Sequence, residues 1–231
     1  MALDPQSVEA QSRLAVVLAD RVLALRADSG AADLARGEVL VNQALAGSPC
    51  GWPAHFAKGH VLRAQKRWEE AVPEYEAALA LNHNFVGVPI CLAWCKLHAG
   101  SIEEVIPLAE KAIRLSPRDP AIGVCYNQIG TVHLLQSRTD DAIIWLEKAR
   151  SAMPALPGHR GRLAAAYALR GETERAAAEL ADARSLASDD RFSSIAHHRA
   201  FLGAWLMVPK TRAWFEATYF AGLRKAGMPE E

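Results

Sequence analysis

Cys91, Cys95 and His98 fall at i, i+4 and i+7, a spacing that puts three soft-metal ligands on one face of a helix, and Cys125 would complete a zinc site. Structural zinc sites usually draw their ligands from tight hairpin spacings instead. Cys50, Cys91, Cys95 and Cys125 are also too sparse in 231 residues for a disulfide scaffold. They read as small side chains packed between helices, so neither a metal nor a cofactor is expected. His159 beside Arg160, and His197-His198 beside Arg199, pair imidazole with guanidinium as a phosphate site would. No glycine-rich phosphate loop accompanies them, and they read as solvated surface residues.

Glu69-Glu70, Glu103-Glu104 and Asp140-Asp141 are paired carboxylates of the kind that serve general acid-base chemistry. Each pair falls in the first turn of a predicted helix, where negative charge is favoured by the helix dipole, and this accounts for them without catalysis. The chain has no Gly-x-Ser-x-Gly, no His-Glu-x-x-His and no phosphate-binding loop. It is therefore read as a non-enzyme.

The elements that carry these residues follow a period. Trp68-Glu69-Glu70-Ala71, Ile102-Glu103-Glu104-Val105, Thr139-Asp140-Asp141-Ala142 and Thr173-Glu174-Arg175-Ala176 are spaced 34, 37 and 34 residues apart. Four residues after each anchor stand Tyr75, Ala109, Leu146 and Leu180; seven after stand Ala78, Ala112, Ala149 and Ala183. That i, i+4, i+7 stripe is one helical face. Read backwards, the register gives a preceding helix with a small residue at its point of close approach, at Gly59, Ala93, Gly130 and Ala164. Pro73 and Pro107 share one register and fall near a first turn, where few backbone donors are lost.

This pattern resembles the tetratricopeptide repeat, a helix-turn-helix unit of 34 residues. The resemblance covers residues 52–190 as four units, 52–85, 86–119, 123–156 and 157–190, and implies an all-α, right-handed superhelical solenoid. Pro89, Lys96 and His83 depart from the pattern, and Pro89 suggests that the first helix of the second unit begins late. Residues 1–51 read as a degenerate repeat-like pair, with helices over 7–25 and 31–46. Leu3-Asp4-Pro5 reads as the end of a further repeat, so the array is expected to belong to a longer chain. Residues 191–231 read as two capping helices rich in apolar surface at Phe201, Trp205, Trp214, Phe215, Tyr219 and Phe220, the last four expected to pack onto the last repeat through Leu180 and its neighbours.

Leu115-Ser116-Pro117-Arg118-Asp119-Pro120 and Gly222-Leu223-Arg224-Lys225-Ala226-Gly227-Met228-Pro229-Glu230 look like the C-terminal repeat region of bacterial adenylate/guanylate cyclase-like signalling proteins. In that family a class III cyclase domain, or a winged-helix DNA-binding domain, precedes the repeats. The resemblance implies a regulatory arm in signal transduction, and none of the cyclase metal-binding machinery stands in this chain.

In a tetratricopeptide array the first helices line a concave groove. The register puts Phe56, His60 and Arg63 there, then Ile90, Trp94 and Leu97, then Asn127, Thr131 and Leu134, with Gly161, Ala165 and Ala168 in the last unit. Chaperone-binding arrays clamp terminal carboxylates with lysine and asparagine, and only Asn127 matches. An apolar, aromatic groove suits an amphipathic helix or an extended hydrophobic peptide. The leading reading is thus a protein-protein interaction module with a protein or peptide partner. A small-molecule sensor lined by Trp94 and the histidines, and an oligomerisation device forming a homodimer, are the alternatives.

Composition agrees. Hydrophobic residues are 51%, charged residues 23%, and 44 residues are alanine, the strongest helix former. Twenty-six basic and 26 acidic side chains cancel, leaving no net field to draw the chain to nucleic acid or an anionic membrane. The longest apolar run, Val86 to Cys95, is too short to span a bilayer, and the N-terminus lacks the basic and apolar regions of a secretory signal. A cytoplasmic protein is expected.

Overall fold

The computed structural model describes residues 7–23, 29–203 and 208–231. The readings of Leu3-Asp4-Pro5 and Trp205 lie outside the described residues. Within them the chain is helical, with no strand and no helix long and apolar enough to cross a membrane. It divides into two compact units, Met1–Lys96 and Leu97–Glu231.

In the first unit α1 (Val8–Leu23) packs on α2 (Gly30–Gly47), and α3 (Trp52–Ala64) lies against both and against α4 (Trp68–Leu81). Ala15 and Ala19 of α1, Val41 of α2, and Ala57, Val61 and Ala64 of α3 form one buried cluster. Alanine at these contacts lets the helices approach closely while costing little side-chain entropy. Helix α5 (Gly87–His98) contributes all but its last two residues to this unit. It begins at Gly87 rather than late, because Pro89 occupies its first turn, where no intrahelical donor is lost.

The second unit continues with a 3₁₀ turn, Ile102–Glu104, that leads into α6 (Val105–Leu115), then α7 (Ile122–Leu135), α8 (Thr139–Ala152), α9 (Pro157–Arg170) and α10 (Thr173–Leu186). Pro107 has no N–H to offer the Glu103 carbonyl, which fits a tightened first turn there. After α11 (Ile195–Gly203), α12 (Pro209–Phe215) runs through a π-helical turn, Glu216–Phe220, into α13 (Ala221–Lys225).

The repeat register is visible in the packing. Ala71, Val105, Ala142 and Ala176, and the residues four and seven after each, are at most 1% exposed. At the close-approach positions, a Cβ on Gly59 would come within 2.9 Å of the Tyr75 ring, and one on Gly130 within 2.7 Å of Leu146. Glu69, Glu70, Glu103, Glu104, Asp140 and Asp141 are all exposed in the first turns of their helices. Ion pairs tie successive repeats of the second unit: Glu179 of α10 takes Arg150 of α8 and Arg160 of α9, and Arg175 of α10 takes Glu147 of α8 at 2.8 Å.

The four helix-turn-helix connections between α3 and α4, before α6, between α7 and α8, and between α9 and α10 each pass through one left-handed residue. Lys66 (φ 66°), Gly100 (84°), Ser137 (60°) and Gly171 (93°) occupy equivalent places, 34, 37 and 34 residues apart. Behind three of them a helix-closing bond runs from the next N–H to a carbonyl five residues back: Arg67 to Leu62, Arg138 to His133, and Glu172 to Tyr167, each 2.9 Å. Lysine and serine bear a steric cost in this region that glycine does not. Lys66→Gly and Ser137→Gly should each raise stability by about 1 kcal/mol in urea titrations, and Gly171→Ala should lower it by about as much. A loss of stability in both glycine variants would show that unfolded-chain entropy outweighs the turn strain.

Candidate functional site

The groove positions of α3 are brought together with three other elements of the first unit. The His60 ring lies 4.3 Å from the Phe56 ring, and the Tyr75 hydroxyl from α4 meets His60 Nδ1 at 2.9 Å. Burial keeps the Tyr75 phenol protonated, and Nδ1 also stands 3.3 Å from the Phe56 carbonyl one turn back, which leaves Nε2 as the ring nitrogen turned toward the neighbouring helices. That Nε2 faces Cys91 Sγ of α5 at 3.7 Å and Asp20 Oδ1 of α1 at 3.8 Å. Burial, with Arg63 nearby, holds the imidazole well below its ordinary range, so it is neutral at pH 7.

Arg63, one turn on, completes the cluster. Burial works against its charge, but Cys91, Tyr75, Cys95 and Asp20 around it push its pKa up, and it stays cationic. Burial raises both thiols, Cys95 to about 12, so neither is a thiolate at neutral pH. Phe85 closes the aromatic side, 5.0 Å from Phe56 and 4.7 Å from Trp52. Cys91 and Cys95 therefore stand with His60 and Arg63, while His98 and Cys125 belong to the second unit. Among the described residues no group of His, Cys, Asp or Glu is arranged to hold a metal ion.

Ile90 and Trp94 of α5 are half-buried, whereas Leu97 is fully buried and its carbonyl accepts the Thr211 hydroxyl of α12 at 3.0 Å. Asn127, Thr131 and Leu134 are at most 2% exposed. The segment Glu216–Phe220 packs on α7 and α9, and α13 packs on α9. A Cβ on Gly161 would meet the Phe192 ring at 2.5 Å and the Tyr219 hydroxyl at 3.0 Å, and one on Gly222 would meet the Ala165 carbonyl at 2.5 Å. The bare groove face of the last repeat is thus a seat for the chain's own C-terminal helix. Tyr219 sits against α9 of the last repeat. The tail is pinned further by bonds from Ile195 N to Pro229 O (2.8 Å) and Ala196 N to Glu230 O (3.0 Å).

Two sequence expectations are corrected here. His159 and His198 are not solvated: they are 4% and 2% exposed. The His198 Nδ1–H donates to the Arg191 carbonyl at 2.8 Å, and Nε2 accepts from the Tyr219 hydroxyl at 2.9 Å. His159 Nδ1 likewise meets the Ala149 carbonyl at 3.2 Å. His197 is exposed, as expected, with Nδ1 at 2.9 Å from both Ser193 and Ser194 hydroxyls.

Residues 52–85 match the tetratricopeptide repeat family model. The chain folds as a tetratricopeptide array. A thermophilic tetratricopeptide protein of Thermus thermophilus is similar at 20% identity, with 85% of this chain and 100% of that one covered and a TM-score of 0.61. PilF of Pseudomonas aeruginosa gives 16% identity, 91% coverage of each chain and a TM-score of 0.66. YrrB, described as a tetratricopeptide protein with an unusual peptide-binding site, gives 16% identity, 81% and 90% coverage and 0.54. No curated protein matches the sequence. At these identities the solved structures speak for the fold alone.

The buried histidines make the array acid-sensitive. Burial brings His159 and His198 down to about 4 from an ordinary 6.5. Between those values the unfolded chain binds protons that the folded chain refuses, so stability falls as pH drops from 6.5 to 4 and is unaffected by these groups above 7. Each contributes on the order of 3 kcal/mol of that loss. Urea titrations at pH 7 and 4.5 should show the fall, and His198→Gln should flatten part of it while lowering stability at pH 7.

Proposed function

We propose that the chain is a non-catalytic interaction module that binds a protein segment across the groove-facing side of α3 and α5 in its first unit. One observation carries this reading. The groove positions of α7 and α9 are buried with the chain's own tail packed on those helices, whereas Phe56, Arg63, Ile90 and Trp94 keep partial exposure. Half-exposed aromatic and arginine side chains are the residue types that act as interface anchors. The fold itself suits a protein-protein interaction scaffold. Resemblance of the Leu115–Pro120 and Gly222–Glu230 strings to cyclase-like signalling proteins supports a regulatory arm within a larger protein, and the balanced charge fits a cytoplasmic protein partner rather than nucleic acid.

Trp94 separates binding from packing. A partner captured by the wild-type chain and identified by mass spectrometry should bind Trp94→Ala about 30-fold more weakly, the equivalent of about 2 kcal/mol, with the melting temperature within about 2 °C of the original. A fall in melting temperature with unchanged affinity per folded molecule would make Trp94 a packing residue and remove the anchor from the groove.

A further inference from the structure

Lys58, Leu62 and Gln65 of α3 each stand two residues after Phe56, His60 and Arg63, about 200° round the helix, and so face away from the groove. On that opposite side α2, α3 and α4 surround an open cavity of about 320 Å³. Ligand sites run from roughly 300 to 1,000 Å³, so this one suits a single side chain rather than a helix. Val41, Val61 and Leu62, each at most 4% exposed, make its floor. Its charged lining sets three carboxylates, Glu38, Glu70 and Glu74, against two cations, Lys58 and Arg67. Both cations are committed. Arg67 donates to Glu70 from Nε at 2.7 Å and from Nη2 at 2.5 Å; Lys58 Nζ donates to Glu74 at 2.6 Å, and His55 Nδ1 meets the other Glu74 oxygen at 2.7 Å. Glu38 is left with less. Its Oε2 accepts from the neutral Gln65 amide at 3.2 Å, and its Oε1 lies 4.0 Å from Arg67 Nη1, outside hydrogen-bond distance. Asn42, also in the lining, stands one turn along α2 on the face of Glu38.

We propose that this cavity is a docking site for one arginine side chain of a partner protein, separate from the groove of α3 and α5. Charge selects a cation. Three carboxylates against two cations leave one negative charge, and the pairing above leaves it on Glu38. An anion would have to draw Arg67 or Lys58 away from its carboxylate, at the loss of a charge-assisted hydrogen bond. The floor selects an aliphatic stem, which Val41, Val61 and Leu62 cover while the charged head stays at the rim. The head is a guanidinium rather than an ammonium. Its planar fork reaches two acceptors at once, here the Glu38 carboxylate and the Asn42 carboxamide oxygen, and it is more weakly hydrated over an apolar floor. Glu38, Arg67 and Glu70 are exposed, so the rim is open to a side chain projecting from a folded surface.

Methyl NMR titration of the full chain, read at Val41, Val61 and Leu62, tests this. The probes are octapeptides that differ only in a central arginine, citrulline, lysine or glutamate, together with propylguanidinium, the head and stem alone. The arginine peptide should shift the three methyls to saturation and bind about ten times or more tighter than its neutral citrulline counterpart. Lysine should bind more weakly than arginine, and propylguanidinium more weakly than the arginine peptide. Glu38→Gln should weaken the arginine peptide about tenfold with the melting temperature within about 2 °C of the original, because the position is exposed and glutamine still accepts from Gln65. Trp94→Ala should leave this affinity unchanged. Equal binding of arginine and citrulline, tighter binding of lysine or glutamate, full affinity in Glu38→Gln, loss of affinity in Trp94→Ala, or no shift at these methyls would each overturn the site. Propylguanidinium binding as tightly as the peptide would make it a small-cation site and overturn the partner protein. The groove reading is decided separately, by the Trp94 capture experiment.

Discussion

Two helices can approach only as closely as the smallest side chain between them allows, and the repeats of this chain rest on that limit. Gly59 against Tyr75 and Gly130 against Leu146 leave no space for even a methyl group. The alanines at the anchor and stripe positions keep the same separation elsewhere. Close approach in turn demands a short connection, and the left-handed residue between the helices provides it. Glycine is used at two of these turns and a strained lysine or serine at the others, so the turn geometry is imposed by packing rather than chosen by local preference.

The same economy of side-chain volume explains the second unit. A groove face made of Gly161, Ala165 and Ala168 offers little to grip an external partner, but it accepts bulky rings from Phe192 and Tyr219 and the backbone of Gly222. The aromatic tail and the bare helix are complementary halves of one core. His198 locks them by accepting a hydrogen bond from the Tyr219 hydroxyl on one ring nitrogen and donating one to the Arg191 carbonyl from the other. In the first unit the corresponding helix carries Phe56, His60 and Arg63, and His60 meets Tyr75 of α4 and Cys91 of α5 instead of a tail.

The solenoid fold, the turn positions and the buried stripe were legible because each depends on the period of the helix, and Ala71, Val105, Ala142 and Ala176 keep that period in plain view. The register also placed Phe56, His60 and Arg63 on one face. It missed Asp20, since α1 lacks the repeat signature, and it treated Tyr75 as an apolar anchor although its hydroxyl meets His60 Nδ1 at 2.9 Å. Burial of His159 and His198 was hidden for a different reason. Each is made tolerable by a single backbone carbonyl contributed from another segment, and no side-chain pattern records where such carbonyls will lie. The tail's seat on α9 depended on shape matching between segments some sixty residues apart, as Gly161 and Tyr219 are, which periodicity does not encode.

Repeat arrays ordinarily lengthen by duplication, because each unit touches only its neighbours. This one has given up that freedom. Its C-terminal helix touches both α7 and α9, and Thr211 reaches back to the Leu97 carbonyl, so a unit inserted after α10 would carry the tail away from the surface shaped to receive it. The fold-back closes this end of the array: a unit can be added there only if the seat on α7 and α9 is rebuilt with it.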